Sequence, residues 1–220
     1  METVAILPIK SFGDAKQRLA PQLSPGPRRA LAEAMFSDVL VALRRAHSID
    51  EILVISGDNA AQQIGGGYGA QVLDDLQEGH NPAATLGIGW ALEHDIERAL
   101  LVPGDCPTLD PGQIDELSAR PVEPPSALIV PDRHGTGTNA LLLTPPDALA
   151  PSFGPGSCAR HASNAETAGT NYEIVEVPSL ALDVDTFEDL SALHAALADL
   201  HGGAAHTRGM LRQLTRSSSR

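Results

Sequence analysis

Three cations follow the first apolar segment of the chain. The segment LPIKSFGDAKQRL (7–19) contains Lys10, Lys16 and Arg18. The full chain of 220 residues has a formal net charge of -13, so a local group of three cations is unusual in it. Long positive side chains at the end of a strand can follow a triphosphate and neutralise its charge. For any one of these cations taken alone, a solvated surface charge is the simpler interpretation.

Three aspartates are placed where they could bind a metal ion. Asp105 follows a strongly apolar stretch in VPGDCP, and Asp183 and Asp185 flank Val184 in LDVDT. On an extended chain, the last two carboxylates point to the same side and repel unless a cation lies between them. Mg²⁺ prefers one or two carboxylates together with phosphate oxygens and water. Capping of the next helix by Asp185 or Thr186 would explain one aspartate but not two. We therefore predict that all three aspartates bind Mg²⁺. We also expect that removing one carboxylate leaves the metal-free protein at least as stable.

Two short segments of small residues could bind an anion. PDRHGTGTN (131–139) and FGPGS (153–157) are rich in glycine and hydroxyl side chains, and such loops can turn backbone N–H groups toward a carboxylate or phosphate. The alternatives are a plain hairpin loop for the first segment and a plain turn with Ser157 as the helix N-cap for the second. His134 in the first segment is more simply a solvated loop residue.

Strand and helix patterns alternate along the chain. This alternation favours an α/β fold in which helices flank both faces of a mostly parallel central sheet. Closely spaced apolar runs near 126–144 and 172–184 predict a small antiparallel addition. Ligands of such sheets bind beyond the carboxyl ends of the strands, where the cations and aspartates lie, so the groups suit nucleotidyl transfer. The predicted strands are 3–9, 51–56, 70–73, 98–103, 126–131, 139–144, 172–177 and 180–184, and the predicted helices begin after Ser24 and cover 83–97, 111–119, about 157–167 and 186–200.

Two glycine-containing segments carry no chemistry in this interpretation. GGGYG (65–69) follows a short helical stretch and precedes a strand, which indicates a helix stop, because a dinucleotide fingerprint has the reverse order. The segment 202–220 is small, polar and basic, so we expect a mobile tail after a single domain that covers 1–201.

Composition excludes several classes of protein. No apolar run approaches the ~20 residues of a membrane span, and the N-terminus lacks a basic, cleavable export signal. Two cysteines, Cys106 and Cys158, do not make a disulfide framework, so we expect a cytoplasmic protein with both cysteines structural. The acidic balance disfavours nucleic acid as a partner, because a phosphate backbone requires a basic face. We also expect no membrane partner.

The chain resembles the phosphoenolpyruvate or 2-phospho-L-lactate guanylyltransferases of coenzyme F-420 biosynthesis. The resemblance implies a GT-A-like nucleotidyltransferase fold. It also implies a reaction that joins GMP from GTP to a three-carbon phospho-acid and releases pyrophosphate. Phosphoenolpyruvate is the favoured acceptor, ahead of 2-phospho-L-lactate and 3-phosphoglycerate, and a downstream transferase would accept the product. The matching pieces are PIKSFGDAKQRLAPQLSP, AMFSDVL, LLVPGDCPTL, PDRHGTGTNALLL, FGPGSCARH and LDVDTFEDL.

The resemblance also implies roles for individual residues. The three aspartates match the family's Mg²⁺ ligands, and Asp105 is assigned to catalysis together with Lys16 and Arg18. Lys10, Lys16 and Arg18 are expected to contact the nucleotide. Asn81 is expected near the nucleotide as well, although His80 stands where leucine is more usual. The acceptor carboxylate is expected at Thr138 or its neighbour Asn139, at Gly154 and at Ser157.

Two other functions remain as alternatives. A sugar-phosphate or molybdopterin nucleotidyltransferase would contain the entry loop L-x-x-G-x-G-x-R-x-G, and the loop at 7–19 lacks that pattern. A nucleotide-binding sensor without turnover would have gaps in the set of three aspartates. The sequence leaves open the oligomeric state, with a homodimer as one alternative, and the residues that recognise guanine.

Overall fold

A seven-stranded sheet forms the centre of the molecule. The computed structural model describes residues 1–75 and 79–218. The strands are β1 Thr3–Pro8, β2 Glu51–Ile55, β3 Gln71–Leu73, β4 Arg98–Leu101, β5 Ser126–Pro131, β6 Thr138–Thr144 and β7 Asn171–Ile174. The helices are α1 Pro25–Leu43, α2 Asn59–Gly67, α3 His80–Glu93, α4 Pro111–Ser118, α5 Ser157–Ala168, α6 Phe187–Asp199 and α7 Ala205–Ser218.

The strand order is β3-β2-β1-β4-β6-β5-β7. β1 pairs in parallel with β2 and β4, and β2 pairs in parallel with β3. β6 runs antiparallel to both β4 and β5, whereas β7 is parallel to β5. This arrangement confirms the predicted fold, which is a mostly parallel sheet with a small antiparallel addition. Because β1 and β4 are parallel neighbours, the loops that follow them emerge side by side.

Helices cover both faces of the sheet. Along β1, Ala5 and Leu7 pack with α1, α2 and α4 on one face, while Val4 and Ile6 pack with α3 and α5 on the other. All four side chains are fully buried, as expected for a central strand that is covered on both sides. No helix within residues 1–75 and 79–218 is long and apolar enough to cross a membrane.

The C-terminal segment is helical, so the predicted mobile tail is wrong for residues 205–218. Helix α7 buries Leu211 against the apolar cluster formed by α1 and α6. The buried carboxylate of Asp38 on α1 accepts hydrogen bonds from the backbone N–H groups of His206 and Thr207, at 3.1 and 2.8 Å. It thereby satisfies donors that the start of a helix leaves free. The polar composition of the segment concealed the helical spacing of its few apolar residues. Ser219 and Arg220 lie outside the described residues.

Residues 180–184 do not form the predicted strand. A 3₁₀ turn at Pro178–Leu180 is followed by a loop, and the predicted antiparallel pair at 172–184 is therefore also wrong. The apolar alternation that suggested a strand has another cause. Leu180 is buried in the cluster beneath α1 and α4, and Val184 is buried in the cluster beneath α6 and α7.

Two predicted loops agree with the structure. The segment 131–139 forms the hairpin connection between β5 and β6. GGGYG at 65–69 includes the end of α2, and Gly69 has a φ of 80°, as expected for a helix stop rather than a phosphate-binding loop.

Candidate active site

A buried lysine joins two of the three aspartates. The Lys16 side chain is only 6% exposed, and its Nζ forms ion pairs with Asp105 Oδ2 and, at 3.1 Å, with Asp185 Oδ1. Burial disfavours the charge of the Lys16 ammonium, but the two carboxylates outweigh that effect and raise its pKa above the ordinary value. Lys16 is therefore a fixed positive charge at neutral pH, rather than the solvated surface cation of the simpler interpretation.

Local structure explains why Lys16 and Asp105 meet. Lys16 lies in the loop after β1 and has a left-handed backbone, with φ 56° and ψ 38°. Asp58 holds the start of that loop by accepting hydrogen bonds from the Phe12 N–H group and the Ser11 hydroxyl, at 2.9 and 3.1 Å. Asp105 follows β4 directly after Gly104. A Cβ at Gly104 would lie 2.5 Å from Ile9 Cδ1, so glycine lets the two loops approach closely, and a larger residue would require the Ile9 side chain to move.

Asp183 is held by Asn139, which the sequence analysis assigned to the acceptor. Asn139 Nδ2 donates to Asp183 Oδ1 at 3.2 Å and to the Leu180 carbonyl at 2.7 Å. Burial, followed by the nearby charge of Asp105, raises the pKa of the Asp183 carboxyl. The aspartates are thus close enough to affect one another, as predicted, although Asp183 does not share the Lys16 ammonium.

The aspartate carboxylates suit a magnesium ion whose remaining coordination positions would be filled by substrate oxygens and water. Among the residues that the structure describes, no group of three or more histidine, cysteine, aspartate or glutamate side chains is arranged to hold a metal ion by itself. Asp105 and Asp185 nevertheless converge on one cation, the Lys16 ammonium. Two carboxylate ligands, with phosphate oxygens and water filling the remaining positions, are what Mg²⁺ prefers. The three-aspartate Mg²⁺ site stays a prediction.

The predicted acceptor residues line one cavity of about 430 Å³. It lies between the β5–β6 hairpin loop, the segment before α5 and the segment before α6. The hydroxyl of Ser157 points to a ligand function, because its Oγ is buried and has no hydrogen-bond partner among the residues that the structure describes. The Ser157 N–H group donates instead to the Gly154 carbonyl at 3.0 Å. Residues that line this cavity include Arg18, Arg133, Thr138, Asn139, Gly154, Ser157, Asp183 and Asp185.

The segment before α5 is held from several sides. Gly156, rather than Ser157, is the N-cap of α5. Gly154 has a φ of 122°, a conformation that side chains other than glycine rarely adopt. The Arg160 guanidinium donates to the carbonyl groups of Ser152 and Pro155, with its shortest distance 2.6 Å. The anion-binding segment therefore has a fixed backbone.

A second space lies beside the first strand, and we call it the nucleotide groove because Lys10 and Lys16, which were predicted to contact the nucleotide, line it. It consists of two adjoining cavities of about 260 and 270 Å³ that share Pro8, Ile9, Lys10, Asp14 and His80. Lys16, Asp105 and Asp185 line the cavity nearer to the acceptor. Burial and the charge of Lys10 lower the pKa of the His80 imidazole, so this ring favours its neutral form.

Two of the residues that were predicted to contact the nucleotide do not line the nucleotide groove. Arg18 is exposed and lines the acceptor cavity. The Asn81 carboxamide is paired with the backbone of Phe153: it accepts from the Phe153 N–H group at 2.7 Å and donates to the Phe153 carbonyl at 3.2 Å. Asn81 therefore ties the start of α3 to the acceptor segment, and its neighbour His80 faces the groove.

Sequence reasoning missed two residues at the acceptor cavity. Arg133 lines the cavity and forms an ion pair with Asp189 at 2.7 Å, which fixes the hairpin loop to the start of α6. His161 is fully buried behind the cavity and contacts the Thr138 hydroxyl. The signal for His161 was its place four residues after Ser157 on a helix, which puts both side chains on one face.

The comparison with protein families decides the assignment. The family model described as "Guanylyl transferase CofC like" matches residues 3–219. The chain belongs to this family. It is therefore a nucleotidyltransferase, and the resemblance stated from the sequence motifs is confirmed.

Relatives within the CofC-like family differ in the acceptor that their names give. A phosphoenolpyruvate guanylyltransferase of Conexibacter woesei is 54% identical over an alignment that covers 99% of each chain. A 3-phospho-D-glycerate guanylyltransferase of Colwellia psychrerythraea is 35% identical over 88% of this chain and 91% of its own. A 2-phospho-L-lactate guanylyltransferase of Methanothermobacter thermautotrophicus is 32% identical over 97% of this chain and 92% of its own.

Solved structures share the fold of this CofC-like chain. A protein of Desulfovibrio desulfuricans G20 described as a nucleotide-diphospho-sugar transferase superposes with a TM-score of 0.75 at 16% identity, over 99% of this chain and 98% of its own. A 4-diphosphocytidyl-2C-methyl-D-erythritol synthase superposes with a TM-score of 0.62 at 14% identity, over 90% of this chain and 100% of its own. At such identities the likeness shows the nucleotidyltransferase fold alone.

Proposed function

We propose that this chain transfers GMP from GTP to phosphoenolpyruvate and releases pyrophosphate. The observation that carries the proposal is that Asp185 lines both the nucleotide groove and the acceptor cavity. A nucleotide in the groove and a phospho-acid in the cavity would therefore meet beside the Lys16–Asp185 ion pair. The choice of phosphoenolpyruvate is supported by the name of the 54% identical relative.

The transfer exchanges one phosphorus–oxygen bond for another. A phosphate oxygen of the acceptor attacks the α-phosphorus of GTP, and the bond to the oxygen that bridges the α- and β-phosphates breaks. The bonding electrons leave with pyrophosphate. The acceptor phosphate is mostly ionised at neutral pH, because the second pKa of a phosphate monoester is about 6. The attacking oxygen therefore requires no side-chain base to remove a proton.

The side chains of this protein contribute charge and position. The fixed Lys16 ammonium lies where negative charge would accumulate on the phosphates. Arg18, Arg133, Thr138 and Ser157 would offer positive charge and hydroxyl groups to the acceptor. Five carboxylates line the same cavity, and Arg133 is paired with two of them, Glu188 and Asp189. Bound Mg²⁺, which Asp105 and Asp185 would hold with Asp183 nearby, would neutralise phosphate charge and lower the repulsion between the two anionic substrates.

The product is proposed to enter coenzyme F-420 biosynthesis, where a downstream transferase accepts it. The resemblance to that family of guanylyltransferases supports this placement. Both cysteines are buried and unpaired with each other, which agrees with a reducing compartment such as the cytoplasm.

A panel of acceptors tests the proposed function. Pyrophosphate release would be measured with GTP and Mg²⁺ in the presence of phosphoenolpyruvate, 2-phospho-L-lactate, 3-phosphoglycerate or glucose 1-phosphate. We expect the highest kcat/KM with phosphoenolpyruvate, no release after chelation of Mg²⁺, and loss of most activity in Asp185→Asn. The exposed residue Asp147 supplies the matched control, Asp147→Asn, which should retain activity. A clear preference for another phospho-acid would correct the acceptor, and activity with the sugar phosphate alone would refute the proposal.

A further inference from the structure

One buried imidazole joins the two segments that form the acceptor cavity. His161 on α5 has no exposed surface. Its Nδ1 lies 2.9 Å from the hydroxyl oxygen of Thr138, at the start of β6. Its Nε2 lies 2.9 Å from the backbone nitrogen of Ser152, in the segment that leads to Gly154.

These two contacts determine which ring nitrogen carries the proton. A backbone N–H group can only donate, so Nε2 must accept from Ser152 and has no proton of its own. In the neutral ring the proton is therefore on Nδ1, which donates to the Thr138 hydroxyl oxygen. Burial, with a smaller effect from Arg160, lowers the pKa of His161 to about 4, so the ring is neutral at physiological pH.

The same contacts determine the direction of the Thr138 hydroxyl. A hydroxyl has one proton to donate, and its oxygen already accepts from His161. The hydroxyl proton is therefore directed away from the ring. Thr138 lines the acceptor cavity together with Ser157, whose buried hydroxyl has no partner within residues 1–75 and 79–218. The two hydroxyl groups form a pair of donors for a planar carboxylate.

We propose that His161 is a positioning residue for the acceptor, which fixes the Thr138 hydroxyl as a hydrogen-bond donor toward the carboxylate of the phospho-acid. This inference rests on the proposed function, because it assigns a carboxylate to this cavity. His161 does not touch the reacting atoms. It acts through Thr138 and also secures the segment that contains Gly154.

Packing around His161 supports a positioning role. The Phe153 ring meets the imidazole edge to face, with ring centroids 5.3 Å apart. On its other side Phe153 meets His80 of the nucleotide groove, with centroids 4.9 Å apart. The imidazole is therefore held in one orientation by aromatic contacts as well as by hydrogen bonds.

Two substitutions separate the functions of the two ring nitrogens. In His161→Asn, the side-chain amide can place a donor near the former Nδ1 position, and in His161→Gln the longer side chain places its polar group near the former Nε2 position. We expect the KM for phosphoenolpyruvate to rise by about 10- to 150-fold in His161→Gln, the equivalent of one charge-assisted hydrogen bond, and by less than about threefold in His161→Asn. The KM for GTP should change little in both. His194→Gln, at an exposed histidine of α6, is the matched control and should be unchanged.

A double-mutant cycle tests whether His161 acts through Thr138. Thr138→Val should raise the KM for phosphoenolpyruvate, Thr138→Ser should restore it, and adding His161→Gln to Thr138→Val should cost little more. Equal effects of His161→Asn and His161→Gln, additive effects with Thr138→Val, or a parallel rise in the KM for GTP would each overturn the proposal.

Nitrogen NMR of the wild-type protein gives a readout that does not depend on turnover. We expect a neutral His161 with its proton on Nδ1, and a proton on Nε2 would overturn the proposal. If the wild-type protein has no activity with any phospho-acid, the proposed function fails. The NMR measurement, with phosphoenolpyruvate added, then decides the role of His161: a change in the Thr138 and His161 signals supports it, and unchanged signals refute it.

Discussion

At the scale of single residues, Lys16 holds the metal-free site together. Its buried ammonium pairs with Asp105 and Asp185, and the carboxylates in turn keep it charged. A buried ion pair is costly to break by removing one partner, because the other charge is then left without compensation. Repulsion among the aspartates alone would predict the opposite effect on stability, because it leaves out the Lys16 ammonium.

Asp105→Asn should lower the free energy of unfolding of the metal-free protein. Lys16 would keep Asp185 as its partner, so we expect a loss of about 1.5–3 kcal/mol, the range for a hydrogen bond to a charged group. Chemical denaturation in the presence of a chelator measures it, with Asp147→Asn as the surface control. An unchanged or higher stability would show that repulsion among the carboxylates dominates, as first expected.

Ser157→Ala should impair use of the acceptor. The Ser157 N–H group is already bonded to Gly154, so the side-chain hydroxyl is the donor that remains for a carboxylate. Losing one hydrogen bond to a charged group corresponds to about a 10- to 150-fold fall in kcat/KM for phosphoenolpyruvate. Steady-state kinetics with each substrate varied in turn would show it, and the KM for GTP should be nearly constant. Wild-type kinetics for every phospho-acid would place the carboxylate elsewhere.

Protonation of His161 should destabilise the fold at acidic pH. Its pKa is about 4 in the folded protein and about 6.5 in an unfolded chain, so between these values only the unfolded chain binds the proton. The free energy of unfolding should therefore fall as the pH is lowered from about 6.5 to about 4, by up to about 3 kcal/mol. Unfolding curves of the wild type and His161→Asn isolate this effect, since other titrating groups are common to both. Equal pH dependence in the two proteins would contradict it.

At the scale of elements, the sequence predicted structure best where local pattern and burial agree. Strands β1 and β4 are continuously buried, and both were predicted with nearly correct ends. The failures have tertiary causes. The alternating apolar residues at 180–184 are buried in two separate apolar clusters and do not pair with a neighbouring strand. The start of α7 is held by the Asp38 carboxylate, which lies far away in the sequence.

The candidate site shows the same division. The positions of Asp105 after a strand and of Ser157 at the start of a helix could be predicted from local pattern, whereas the acceptor roles of Thr138 and Ser157 came from the family resemblance. The pairing of Asn81 with Phe153 and the place of His161 behind Thr138 require the folded chain, since each contact joins segments that no local pattern connects.

Leu211→Ala should reveal that the C-terminal helix is part of the folded domain. Leu211 is buried between α7, α1 and α6, and replacing a buried leucine by alanine costs about 2–5 kcal/mol. The neighbouring exposed residue gives a matched control, Arg212→Ala, which should change the free energy of unfolding by less than about 0.5 kcal/mol. If both variants unfold like the wild type, the segment does not contribute to the fold.

At the scale of the whole molecule, the sheet brings a cationic loop and several carboxylates to one edge of an acidic protein. Lys16 follows β1, Asp105 follows the neighbouring strand β4, and Asp185 precedes α6. Asp185 then borders both the nucleotide groove and the acceptor cavity. The arrangement places the Lys16 ammonium and metal-binding oxygens where two anionic substrates would meet, in a chain with a formal net charge of -13.

The fate of the individual phosphates of GTP is the most direct test of guanylyl transfer to the phospho-acid. GTP labelled at the α-phosphate or at the γ-phosphate would be incubated with the protein, Mg²⁺ and phosphoenolpyruvate, with the downstream transferase present to capture a labile product. We predict that the α-label becomes attached to the phospho-acid product and that the γ-label is released in pyrophosphate. Transfer of the γ-label to the acceptor, or release of labelled inorganic phosphate with GDP, would contradict guanylyl transfer at this site.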